Sequence, residues 1–150
     1  MIETISGIVT AVAVIIISRV LSKYFPAKLF AATILVAIAF IYVGFSLKDN
    51  PVSLIALEVV VALLLYFLAI IGYTRSSFAL AYGIIFHGLW DICHHNNFLV
   101  GTDVPAYWPS FCFVIDIIDG LYFLIIFKSQ KNSRVFKTKV SGKYETRKTI

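Results

Sequence analysis

Five apolar stretches, each long enough to cross a bilayer, dominate this chain: about Ile5 to Leu21, Ala27 to Leu47, Val52 to Tyr73, Ser77 to His95 and Ala106 to Phe127. A helix needs about 20 mostly apolar residues to span a hydrocarbon core roughly 30 Å thick. With no water at that depth, every backbone group must be bonded within its own segment, which selects helices. The expected fold is therefore an all-α, polytopic transmembrane helix bundle of five spans. Composition excludes a soluble domain, since 60% of the residues are hydrophobic and only 14% charged, against averages of about 45–50% and 25%. Two cysteines are too few for a disulfide framework.

Charge sets the expected orientation. Arg19, Lys23, Lys28, Arg75 and eight Lys or Arg residues after Phe127 fall on one side of the five-span arrangement, and only Lys48 falls on the other. Basic residues stay on the cytoplasmic side during insertion, so the N-terminus is expected outside and the C-terminus inside. Glu3 precedes the first stretch and Arg19 and Lys23 follow it, the reverse of a signal peptide, so this stretch reads as a retained span. The chain divides into a transmembrane domain, 1–127, and a basic cytoplasmic tail, 128–150. A basic tail directly after an apolar span is expected to meet anionic lipid headgroups rather than nucleic acid.

Ionisable residues inside spans cost at least a few kcal/mol each and ordinarily face a partner or a watery cavity. Glu58, His87, Asp91, Asp116 and Asp119 all fall within the apolar stretches. Counting about 1.5 Å per residue from the outer ends places Glu58, Asp91 and Cys112 about 10 Å down, and His87 and Asp116 about 15 Å down, with Asp119 a turn deeper. His87, Asp91, His94 and His95 are spaced i, i+4, i+7 and i+8, on one helix face beside Trp90. Trp108, Cys112, Asp116 and Asp119 form a second stripe. Two polar stripes on neighbouring spans are expected to face each other, because the alternative exposes them to lipid. Taken singly, several of these residues have plainer roles. His94, His95 and Asp103 suit solvation near the outer headgroups, Trp90, Tyr107 and Trp108 suit an interfacial belt, and Cys93 and Cys112 suit small core positions.

The string from Gly83 to His95, with His87, Trp90, Asp91, His94 and His95 in the pattern HxxWDxxHH, resembles a family of small bacterial multi-pass membrane proteins of uncharacterised function. Glu58 in the preceding span and Pro109, Cys112 and Asp116 in the last one extend the likeness over about residues 55–120. The resemblance implies a multi-pass protein of the bacterial inner (plasma) membrane with a site at these residues, and brings no assigned reaction.

Counting residues narrows the chemistry. Three histidines are far fewer than a membrane di-iron desaturase requires. All three lie on one span, so a bis-histidine haem would need a dimer, and a homo-oligomer stays open on those grounds. The preferred reading is a membrane enzyme acting on a lipid-like substrate, with Glu58, His87, Asp91 and Asp116 as catalytic candidates. As candidate ligands of a divalent transition metal, the sequence offers His87, Asp91, His94, His95 and Asp116, because imidazole with carboxylate suits zinc, iron or manganese. Two alternatives stand beside it: a proton-coupled small-molecule carrier, in which the acids and His87 relay protons, and a non-catalytic assembly subunit whose polar residues hold helices together.

Overall fold

In the computed structural model, which describes residues 1–146 and the side chains of residues 1–133, the chain is an all-helical bundle. The elements are α1 (Ile2–Leu21), α2 (Ala27–Ala39), α3 (Ile41–Ser46), α4 (Val52–Thr74), α5 (Ser77–His94) and α6 (Trp108–Thr146), with a 3-10 turn at His95–Asn97. Four segments are long and apolar enough to cross a membrane: Ile2–Leu21, Ala27–Ser46, Val52–Thr74 and Trp108–Ser133. The expected fourth span, Ser77 to His95, corresponds to α5, which does not join them. It is long enough at 18 residues, but these include His87, Asp91 and His94, which lower its hydropathy. The helix that carries these three residues is also the one enclosed by the others, packing against α2, α4 and α6.

The expected second span is interrupted. Between α2 and α3 the helix breaks at Phe40, with φ −96° and ψ 0° and no proline or glycine at the break, and then resumes. Pro51, extended at φ −65° and ψ 149°, precedes α4, the position where its missing N–H costs nothing. The end of α5 follows from Asn96 and Asn97, which take positive φ of 53° and 56°. Asparagine tolerates this left-handed region better than most residues.

Small residues let the helices approach. Gly7, Ala11 and Ser18 are the buried stripe of α1, which packs on α6. A Cβ at Gly7 would stand 3.0 Å from the Phe111 carbonyl oxygen. The apolar core occupies one half of the bundle, where Ala31 and Leu35 of α2, Leu65 and Ala69 of α4, Leu80 and Ile84 of α5, and Phe123 and Phe127 of α6 are buried together. Helix α6 continues past Phe127 into the basic stretch. The tail residues 147–150, and the side chains of 134–146, lie outside what is described.

Candidate functional site

The other half of the bundle is polar inside. Glu58, His87, Asp91, His94, Asp116 and Asp119 are all at most 2% exposed. Helical spacing aims His87, Asp91 and His94 along one face of α5, while α6 brings Asp116 and α4 brings Glu58. A glycine allows the first of these meetings, since a Cβ at Gly88 would stand 3.1 Å from the Cβ of Asp116.

Two hydrogen-bonded groups result. In the first, His87 Nδ1 lies 2.6 Å from Asp116 Oδ2 and 3.9 Å from Asp91 Oδ1. One ligand atom from each of His87, Asp91 and Asp116 lies within 4.8 Å of the other two. In the second, His94 Nε2 lies 2.7 Å from Glu58 Oε1, and Glu58 also accepts from Thr102 Oγ1 at 2.6 Å and from Trp90 Nε1 at 3.3 Å. Tyr42 joins the two groups. Its hydroxyl donates to Asp91 Oδ1 at 2.7 Å, and its ring stacks on His94 with centroids 3.9 Å apart.

The expected site residues are therefore only partly assembled in one place. His87, Asp91 and Asp116 converge. Glu58 meets His94 instead of entering that group, and both nitrogens of His94 are engaged, since Nδ1 donates to the Trp90 carbonyl at 3.0 Å. His94 is buried, contrary to the expectation of headgroup solvation. His95 is exposed and turns to Ser110 Oγ, 3.2 Å away. Sequence reasoning missed Tyr42 and Thr102. A tyrosine in an apolar span reads as core, and an irregular loop offers no periodicity by which to place a threonine.

The buried site holds four carboxyl groups, Glu58, Asp91, Asp116 and Asp119, against two imidazoles, His87 and His94. The Trp90 carbonyl can only accept, so His94 Nδ1 carries a hydrogen. A proton between Nε2 and Glu58 then leaves that pair neutral wherever it sits. Granting His87 and Asp116 the same shared proton, Asp91 and Asp119 are left over. Among the described residues no lysine or arginine pairs with either of them, and Asp91 Oδ2 and both Asp119 oxygens have no hydrogen-bond partner. Unpaired buried carboxylates are too costly to stay ionised, so protons or a divalent cation must balance them.

Beside this group lies a cavity of about 700 Å³. Its walls come from Thr4 of α1, Asp91, Ile92 and His95 on the α5 side, Asn96 and Phe98 of the following turn, and Pro109, Ser110, Phe113 and Val114 at the start of α6. Asp91 is common to the wall and to the His87–Asp116 group.

Fold and site together define an integral, multi-pass helical membrane protein with a buried histidine–carboxylate centre. The chain belongs to the family of unknown function DUF6010, whose model matches residues 2–129. No curated protein and no solved structure matches it.

Proposed function

We propose that this protein is a membrane enzyme that holds a divalent transition metal at His87, Asp91 and Asp116 and acts on a lipid-like molecule seated in the adjoining cavity. The observation that carries this reading is the double position of Asp91, as part of the three-residue group and as part of the wall of a largely apolar cavity. Imidazole with two carboxylates suits zinc, iron or manganese, and such an ion would balance the charge left over in the site. When bound, the ion would supply Lewis-acid polarisation of a carbonyl or phosphoryl oxygen.

The chain's own residues have separable roles in this reading. Tyr42 holds Asp91 Oδ1 and leaves Oδ2 free. Asp116 orients His87. Phe98, Phe113 and Val114 receive acyl chains and keep water out, while Thr4, Asn96 and the His95–Ser110 pair offer polar groups to a headgroup. The site lies in the outer half of a bundle oriented with its N-terminus outside, in the bacterial inner membrane, as the Lys/Arg asymmetry and the HxxWDxxHH resemblance support.

A lipid with a photoactivatable acyl chain tests the cavity. It should label the wall of the wild type, and Val114→Trp, which fills the cavity, should abolish labelling while leaving bound metal in place. Labelling that ignores Val114→Trp would overturn the substrate assignment. Metal-free wild type with substrate-dependent proton flux in liposomes would overturn the enzyme reading in favour of a carrier.

A further inference from the structure

The opposite end of the bundle carries a different kind of site. Two cavities of about 330 Å³ each lie where α2 begins, α4 gives way to α5, and α6 passes by. They share Arg75, Ser77 and Gln130, with Lys28 lining one and Lys131 the other. Among the described residues, neither wall contains an aspartate or glutamate.

Lys28 is already held in position. Its ammonium lies 4.7 Å from the centre of the Tyr73 ring and donates to the Tyr73 carbonyl at 3.3 Å. Lys131 sits 5.9 Å from the Phe78 ring centre. The start of α5 opens into the same groove, and Ser76 at its cap makes no side-chain hydrogen bond to it. Free N–H groups at the start of a helix reinforce an anion held by cations. The groove occupies the end of the transmembrane segments, since Val52–Thr74 finishes and Ala27–Ser46 begins there. A phospholipid presents its phosphate at that level.

From the three cations, the acid-free walls and this position, we propose that the groove binds the phosphodiester of an anionic membrane phospholipid, through Lys28, Arg75 and Lys131. The site is independent of the histidine–carboxylate centre. It is also distinct from general attraction by the tail, because its cations come from three separate parts of the fold, with Lys28 and Lys131 lining adjoining cavities that have Arg75 in common.

Native mass spectrometry of the full chain in detergent tests the proposal, with phosphatidylglycerol, phosphatidylcholine and inorganic phosphate as titrants. Phosphatidylglycerol should bind more tightly than the other two and should raise the melting temperature of the wild type more than phosphatidylcholine does. Arg75→Gln should weaken that binding about fivefold, the equivalent of about 1 kcal/mol for one basic residue at a lipid surface. Adding Lys131→Gln should weaken it further by a similar factor. The charge-matched pair Lys137→Gln and Lys139→Gln, farther along α6 than Lys131, should leave it unchanged. Equal losses in the groove and tail variants would overturn the site in favour of diffuse attraction, and phosphate binding as tightly as the lipid would overturn the lipid as its source. If the groove variants fail to fold, the wild-type comparison still decides: equal stabilisation by the two lipids overturns the proposal.

Discussion

The two halves of the bundle are built from the same helices by opposite means. Toward the basic end, α2, α4, α5 and α6 meet through Ala31, Leu35, Ala69, Leu80, Ile84 and Phe123, a contact of small and bulky apolar side chains that needs no polar group. Toward the other end, α4, α5 and α6 meet through Glu58, His94, His87, Asp91 and Asp116. The apolar half shows that close packing alone can join these helices, as is usual where lipid supplies no hydrophobic drive between them. The proposed function takes the polar half to be more than helix glue. Leucine at those positions would avoid the cost of burying charge, and that cost is the argument for the proposed ligand and reaction.

Substitutions that separate the halves test this comparison, and the largest effect belongs to the polar one. Asp116→Ala leaves His87 buried without its partner and should cost about 3–5 kcal/mol, as for other broken buried pairs, read as thermal unfolding in detergent. A small loss would show that the group is not a unit. Next, Glu58→Ala and His94→Ala should be non-additive, with a coupling of up to about 3 kcal/mol for directly bonded residues. Strict additivity in the double-mutant cycle would dissolve the pair.

A smaller change sharpens the contrast by touching the site without removing a polar atom. Gly88→Ala sets a methyl 3.1 Å from the Cβ of Asp116 and should cost about 1–3 kcal/mol through overpacking. It should also lower metal affinity by spreading His87 from Asp116. The smallest effect is expected in the apolar half, where Ile84→Val should cost about 0.5–1.5 kcal/mol and leave metal binding untouched. If Gly88→Ala and Ile84→Val behaved alike in metal binding, the two halves would not differ in function.

Much of this arrangement is legible in the sequence, because apolar run length and helical rise are strong constraints. Depth counting set His87 and Asp116 at nearly one level, and they meet at 2.6 Å. The same counting put Glu58 level with Asp91, yet Glu58 bonds to His94. His94 stands one turn from Asp91 on the same face, and counting backbone rise does not decide which of two such neighbours a long glutamate side chain reaches. His95 belongs to the face by spacing, but α5 ends at His94, before Asn96 and Asn97 turn left-handed, so its ring leaves the stripe. Tyr42 reaches Asp91 from beyond the break at Phe40, and no proline or glycine marks that break.

Metal content per chain tests the central claim most directly. Protein purified in detergent without added metal, and again after saturation with zinc or manganese and desalting, should retain about one divalent ion per chain. His87→Ala and Asp91→Ala should each abolish retention, while Asp103→Ala, on the loop beyond the cluster, should leave it at the wild-type level. No retained metal in the saturated wild type, or retention unchanged by His87→Ala and Asp91→Ala, would contradict the account and return the polar half to a role in helix assembly or proton transfer.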